Sequence, residues 1–302
     1  MASTTAARKL AALLQSFVRR RPMRAGSLIV TVYGDAVVPR GGSLWLGSLL
    51  EVMAGFGVEP GLVRTAISRL VADGWFERTR IGKQSYYRLT AWGAAESAAA
   101  TTRIYRGPEA AWAGEMEIAV ITSQDAAQRA AHRERMLREG WGQAAANVMV
   151  RPHPAGADDG EAPALADIVR MVTRPQSAAN ARALARACWQ LDDLDAACRQ
   201  FLKAFGPVAD EIAGGARLAD AQAFQLRTLL IHDWRRIVLR DPLLPRAMLP
   251  EDWPGFRALE LTAAVYRRAL EGSERWLDRH AVNENGALPP AIRALEERFR
   301  TA

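Results

Sequence analysis

Lysine is nearly missing from this 302-residue chain. Of its 40 basic residues only Lys9, Lys83 and Lys203 are lysine, a skew that reflects genomic bias before it reflects function. Cysteine is scarce as well. Cys188 and Cys198 are the two present, ten positions apart in a stretch of helical spacing, about 15 Å by helical rise. That is too far for a disulfide, and a reducing cytoplasm is expected. No apolar run reaches the roughly 18 residues of a membrane span. Nor does the N-terminus follow signal-peptide order, since Arg19-Arg20-Arg21 comes after the apolar residues instead of before them. The first acidic residue is Asp35, which leaves an organellar transit peptide formally open, with a basic DNA-binding arm as the preferred account. Internal repeats and low-complexity tails are lacking too.

Enzyme signatures are also missing. There is no glycine-rich phosphate loop after a strand, no Cys or His pair at metal spacing and no Gly-x-Ser-x-Gly elbow. His232 and Asp233 are helix neighbours about 100° apart and cannot work as a dyad. Asp192, Asp193 and Asp195 read as a solvated acidic cluster, and Asp158-Asp159-Gly160-Glu161 as a polar loop without the full calcium pattern. No catalytic residue, metal site or cofactor is assigned.

What is present is organised around residues 43–90. Ser43 is a candidate N-cap, followed by Trp45, Leu49, Val52 and Met53 at helical spacing to about Ala54. Gly55 and Gly57 stop that helix. Pro60 opens a second one, running from about Gly61 to Asp73, with Leu62, Val63, Ala66, Ile67, Leu70 and Val71 as its apolar face. Gly74 ends it, and Trp75 to Arg80, a turn at Ile81-Gly82-Lys83 and Ser85 to Leu89 make a hairpin. Helix, turn, helix and basic hairpin is the layout of a winged helix-turn-helix, whose second helix enters the major groove. Charge agrees. Residues 1–90 hold 13 Lys+Arg against 5 Asp+Glu, a net of +8, while the remaining 212 hold 27 against 28. The expected partner is therefore double-stranded DNA.

In the second helix Gly61, Arg64, Thr65 and Ser68 face away from the apolar side, and Arg69 lies at its flank, placed for phosphate. On the wing, Arg78, Arg80, Lys83 and Gln84 are positioned for backbone or minor-groove contact, and Arg40 joins this set from the preceding turn. Trp45, Trp75 and Tyr87 are assigned to the core.

Upstream, Leu10, Leu13, Leu14, Phe17 and Val18 share one helical face. Residues 25–38 carry β-branched residues suited to a strand but are read as the first helix of the motif. The motif as a whole, from Ser27 to Thr90, resembles the N-terminal domain of the PaaX family, bacterial repressors of phenylacetate degradation. The match is carried by Gly34-Asp35, Pro39-Arg40-Gly41-Gly42, Leu62-Val63-Arg64-Thr65-Ala66, Gly74-Trp75 and Ser85-Tyr86-Tyr87-Arg88-Leu89-Thr90. A second island, residues 229–255 (LLIHDWRRIVLRDPLLPRAMLPEDWPG), is similar to the family's C-terminal signature.

Beyond the motif, a helix from residue 91 runs to a linker near Gly107-Pro108. Met116–Thr122, Ala146–Val150 and Ile168–Val172 read as strands, with a helix capped at Ser123 or Asp125 between the first two and a loop over 152–163. From Ser177 the chain is helical. A segment closes at Gly206-Pro207, a long helix spans 220–240 and stops at Asp241-Pro242, and shorter helices follow at about 256–270, 274–280 and 290–300. The fold class expected is mainly α with a smaller α/β part. The domains are a winged helix-turn-helix with its arm (1–106), a middle domain that the resemblance implies is ferredoxin-like (107–176) and a helical effector and dimerisation domain (177–302). Residues 1–106 are expected to fold alone.

The resemblance implies an acyl-coenzyme A effector, with phenylacetyl-coenzyme A suspected. Its candidate contacts are His232, Trp234, Arg235, Arg236, Arg240 and Trp253, because arginine forks suit phosphates and indoles shelter planar groups. The alternative for these arginines is an ion-pair network with Asp233, Asp241, Glu251 and Asp252. A homodimer is expected because most helix-turn-helix proteins read two-fold operators. Two rival readings are an acyl-coenzyme A-processing enzyme with a vestigial winged helix, and a winged helix used for protein contacts.

Overall fold

In the computed structural model, residues 4–20, 25–106, 112–153, 167–292, 295 and 297–299 are described. The chain divides into two compact units. Unit 1 comprises Met1–Gly107, Arg199–Leu239 and Phe256–Ala302, and unit 2 comprises Pro108–Cys198 and Arg240–Gly255. The expected helical domain 177–302 is thus shared between the units. The reason is packing: the helices after residue 199 bury their apolar faces with the N-terminal motif.

Unit 1 begins with α1 (Thr4–Arg19), which buries Ala6, Leu10 and Phe17. Next comes α2 (Ala25–Val32). Its β-branched residues are helical because Leu28, Ile29 and Val32 are buried against α4 (Pro60–Ala72) and α9 (Asp220–Val238), and tertiary burial outweighs a weak propensity. A π-helical turn, Tyr33–Val37, then turns Tyr33 and Asp35 inward.

Ser43 is not an N-cap. Ser43–Trp45 forms β1, paired antiparallel with Arg88, Tyr87 and Tyr86, and α3 (Leu46–Ala54) starts only after it. A short strand between two turns carries no periodicity by which it could be told from a helix start. Glu59 is the N-cap of α4 and Pro60 its first residue. The hairpin is β2 (Phe76–Ile81) and β3 (Gln84–Leu89), in sheet order β1-β3-β2. Gly82 at φ +57° leads its two-residue loop, as a type II′ turn requires. Helix α5 (Ala91–Arg106) follows.

Unit 2 contains an antiparallel sheet in the order β5-β6-β4-β7, from β4 (Met116–Ile121), β5 (Gly142–Ala145), β6 (Val148–Pro152) and β7 (Ile168–Thr173). Between β4 and β5 runs α6 (Ala126–Arg138), whose N-cap Asp125 accepts from the Ala127 and Gln128 amides. Its core joins Ala119, Ile121, Met136, Trp141, Met149 and Ile168. Strand β5 escaped the sequence because Gly142 reads as a helix stop. The expected loop 152–163 falls outside the described residues after His153, as does the linker at Gly107-Pro108.

Helix α7 (Ala178–Cys188) packs on β5. Helix α8 (Leu191–Ala213) continues through Gly206-Pro207, where a stop was expected. Cys188 and Cys198 are free and buried, and burial pushes the Cys198 thiol up to about 12. Helix α10 (Pro254–His280) is a single helix where two were expected. Gly272 does not break it; a Cβ there would lie 3.0 Å from the Ala223 Cβ, so this glycine allows α10 to approach α9 closely. Of 290–300, residues 290–292 carry no regular structure, Leu295 is in a 3-10 turn and 297–299 form a turn, and the remaining residues of the expected helix lie outside the described ones. A small hairpin, β8 (Val282–Asn283) with β9 (Gly286–Ala287), was not anticipated, although Asn285-Gly286 is a turn signal.

Candidate nucleic-acid interface

On α4, Val63 and Ile67 are buried while Gly61, Arg64, Thr65, Ser68 and Arg69 are all exposed. Helical spacing at 100° per residue puts Gly61, Thr65 and Ser68 on the outermost face, with Arg64 and Arg69 on opposite flanks. The face is therefore a shallow strip of small residues between two cations. Thr65 holds its hydroxyl on the Gly61 carbonyl at 3.0 Å. Leu62, expected in the apolar face, is 40% exposed on the same flank as Arg69.

On the hairpin Arg78, Arg80, Lys83 and Gln84 are exposed. Gln84 accepts from the Tyr86 hydroxyl at 2.6 Å, and Arg80 donates Nε to the Gly82 carbonyl at 3.2 Å, which holds its stem along the turn. Tyr87 is buried as expected, and Trp45 and Trp75 are half-buried. Among the described residues Arg64, Arg69, Arg78 and Lys83 make no ion pair. Other cations of the first 90 residues do: Lys9 with Glu211, Arg20 with Asp233 and Arg88 with Glu284.

Arg40 does not belong to this surface. It is 2% exposed, donating Nε to the Pro289 carbonyl at 3.0 Å and Nη1 to Glu274 at 2.9 Å, with Nη2 on Asp278 and on the Leu288 carbonyl. A guanidinium with acceptors on all three nitrogens has nothing left for a phosphate.

Beside it lies a buried polar centre that the sequence reading missed. The Asp35 carboxylate accepts from Arg227 Nε at 2.7 Å, Arg298 Nη1 at 2.8 Å, the Tyr105 hydroxyl at 2.6 Å and the Tyr266 hydroxyl at 2.9 Å. Its backbone carbonyl accepts from Arg227 and Arg298 as well. Burial pushes the Asp35 carboxyl up, but the two guanidinia and the tyrosine hydroxyl outweigh burial and hold it below its ordinary value. Arg227, 0% exposed, also pairs with Glu274 at 2.5 Å, and Glu274 in turn meets Arg40. Tyr33, on the same π-helical turn as Asp35, donates to the Tyr87 carbonyl in β3 at 3.1 Å. The chain Arg40, Glu274, Arg227, Asp35 thus anchors the turn that supports the hairpin. One sequence signal existed: Arg227 stands in the middle of the α9 stripe formed by Phe224, Ile231 and Trp234.

The effector candidates are divided between the two units. His232, Trp234, Arg235 and Arg236 belong to unit 1, and Arg240 and Trp253 to unit 2. His232 is buried, with Nδ1 3.0 Å from the Thr31 hydroxyl oxygen. That oxygen sends its proton to the Ser27 carbonyl and accepts from Arg235 Nη1, which assigns His232 as the Nδ1–H tautomer donating to it. Burial lowers the imidazole to about 4, so it is neutral. Trp234 is buried and gives its Nε1–H to the Ile104 carbonyl at 3.0 Å, and Trp253 is buried too. All three rings are buried. Arg235 is half-buried on Ser27 and Thr31, whereas Arg236 and Arg240 are exposed. Asp233, a candidate network partner, pairs with Arg20 through both oxygens at 2.6 and 2.7 Å.

Grouping charge by unit instead of by sequence block sharpens the picture. Unit 1 holds 29 Lys+Arg against 17 Asp+Glu, a net of +12, and unit 2 holds 11 against 16, a net of −5. α4 and the β2–β3 hairpin present Arg64, Arg69, Arg78 and Lys83 at the surface of this basic body. The chain belongs to the PaaX-like family. The PaaX-like protein family matches residues 24–93, and the PaaX-like protein C-terminal domain matches residues 189–279. The transcriptional repressor PaaX of Escherichia coli (strain K12) is 32% identical over 303 residues, covering 96% of this chain and 95% of that protein. Among solved structures, an uncharacterized protein from Mycobacterium tuberculosis aligns with a TM-score of 0.49 and 26% identity, over 76% of this chain and 88% of that one. No described helix is long and apolar enough to cross a membrane.

Proposed function

We propose that this protein is a cytoplasmic transcriptional repressor of a phenylacetate catabolic operon. In this reading it binds double-stranded operator DNA as a homodimer and leaves it when an acyl-coenzyme A such as phenylacetyl-coenzyme A binds. The observation that carries the reading is the unpaired basic surface of α4 and the β2–β3 hairpin, in a chain 32% identical to a named repressor over nearly its whole length. We read residues 25–106 as a winged helix-turn-helix, with α4 in the major groove and the Gly82-Lys83 tip along the backbone. Unit 2 is read as ferredoxin-like, a proposal supported by its β5-β6-β4-β7 order. Arg64, Thr65, Ser68 and Gly61 are the base-facing set, Arg69, Arg78, Arg80, Lys83 and Gln84 the backbone set. For the effector phosphates, Arg236 and Arg240 remain as exposed candidates, each to be tested singly.

Operator fragments titrated by fluorescence anisotropy test this. Arg64→Ala should weaken specific binding by about 1–3 kcal/mol and relax preference at one base position. Arg80→Ala should weaken all sequences alike and flatten the salt dependence by about one unit of slope. Equal losses on specific and random DNA for Arg64→Ala would make Arg64 another phosphate contact. Phenylacetyl-coenzyme A should release the operator where free coenzyme A does not. Thioester hydrolysis by the purified protein, with DNA binding absent, would favour the enzyme reading instead.

A further inference from the structure

Two large apolar side chains stand in solvent on surfaces that are otherwise polar. Among the described residues of 43–90, the large hydrophobics left exposed are Leu62, at 40%, and Ile81, at 51%. Leu62 is the third residue of α4, and Ile81 closes β2 directly before Gly82 at the hairpin tip. A single exposed leucine is ordinary. These two are set apart by their neighbours. Leu62 shares a helix flank with Arg69, and Ile81 lies within the run Arg80-Ile81-Gly82-Lys83, whose cations are exposed.

The end of α4 that carries Leu62 can approach a surface closely. Gly61, Thr65 and Ser68 on its outermost face are all short, and the Thr65 hydroxyl proton is already committed to the Gly61 carbonyl at 3.0 Å. The longest apolar reach at this end is the Leu62 isobutyl group. In a major groove such a group meets one kind of apolar partner. Base edges present hydrogen-bond donors and acceptors, and the C5 methyl of thymine is the exception. Over cytosine the same side chain would cover the N4 amino group and leave its donor without a partner.

We propose that Leu62 reads a thymine methyl in the operator, an apolar specificity contact beside the polar set of Arg64, Thr65 and Ser68. The inference rests on the reading above, in which α4 enters the major groove. Ile81 acts differently. The hairpin tip follows the backbone, where the sugars offer apolar surface that is the same for every sequence. One methyl removed from water corresponds to about fourfold in affinity. Leu62 therefore separates thymine from a base without the methyl by about that factor, and Ile81 does not separate them.

Deoxyuridine differs from thymidine by that methyl alone, and every hydrogen-bonding group stays in place. The test uses the full chain and a duplex enriched from random-sequence DNA by repeated rounds of binding to it. Each thymine is replaced in turn by deoxyuridine and affinity is measured by fluorescence anisotropy. The wild-type protein should lose about fourfold at one thymine of a half-site. Leu62→Ala should bind the thymine and uracil duplexes alike at that position, with its affinity for random DNA unchanged. Leu62→Met, which keeps the apolar reach, should retain the loss. Ile81→Ala should weaken both duplexes by one common factor and leave their ratio as in wild type. Should Leu62→Ala misfold, Leu62→Gln replaces it, since glutamine keeps length and helix propensity and brings an amide where the methyl contact was. A specific duplex whose thymines can all be replaced without loss overturns the methyl contact and leaves the repressor reading standing. So does a folded Leu62→Ala or Leu62→Gln variant that keeps every deoxyuridine loss of the wild type. Erasure of the loss by Ile81→Ala instead would overturn the assignment to Leu62. A chain that enriches no duplex at all removes the DNA reading and this contact with it.

Discussion

Asp35→Asn isolates what the buried centre contributes, because it preserves volume while removing one charge. In the wild-type protein the carboxylate answers two guanidinia and two hydroxyls, all within 2.9 Å. The variant leaves Arg227 with Glu274 and its backbone contact, and Arg298 with carbonyl acceptors and the Tyr266 hydroxyl. Two cations would then share less negative charge inside a buried core. Removing one partner of a buried pair costs about 3–5 kcal/mol. For a body of this size that is a fall in melting temperature on the order of 10 °C, measured by calorimetry or by the urea midpoint at pH 7. The pH dependence supplies a second readout. Because the folded carboxyl is held below its ordinary value of 3.8, its contribution is present above that value and is lost as pH falls below it through the folded value. The Asn variant should lack that acid step. A midpoint shift equivalent to less than about 1 kcal/mol, or an acid profile parallel to wild type, would refute the reasoning.

Three further outcomes follow from the same contacts. A fragment of residues 1–106 should fail to form a cooperative fold, contrary to the expectation from its sequence, because α2 and Asp35 lose α9, Arg227, Tyr266 and Arg298; a sharp thermal transition of the fragment would show otherwise. Arg40→Met should lower stability by about 2–4 kcal/mol while leaving the salt slope of operator binding unchanged, since the side chain meets Glu274 and Asp278 and not phosphate. His232, with its folded value lowered to about 4, favours folding fully above its unfolded value of 6.5. That contribution should fade between 6.5 and 4 by up to about 3 kcal/mol, and His232→Asn should flatten this part of the stability profile.

Local chemistry was legible in the residues. Pro60 after Glu59 starts α4, Gly82 closes the hairpin, Asp125 caps α6, and the 3.6-residue spacing of Val63, Ile67 and Leu70 turns Arg64, Thr65 and Ser68 outward. Each depends on neighbours a few positions away, so it can be read in order along the chain. The family islands at 27–90 and 229–255 were legible for the same reason, and they lie inside the matched segments 24–93 and 189–279. What the linear order could not show is which charges remain free. Arg40 and Arg64 look alike in sequence, yet one is buried among Glu274, Asp278 and two carbonyls more than 230 positions away and the other, among the described residues, makes no ion pair. Ser43–Trp45 became a strand because Tyr86–Arg88 lies beside it, and Gly272 lies inside α10 where a Cβ would come 3.0 Å from that of Ala223. Periodicity and caps are short-range and survive in one dimension. Ion pairing, desolvation and close approach depend on distance through space, and these were decided only when α9 and α10 closed over the N-terminal motif.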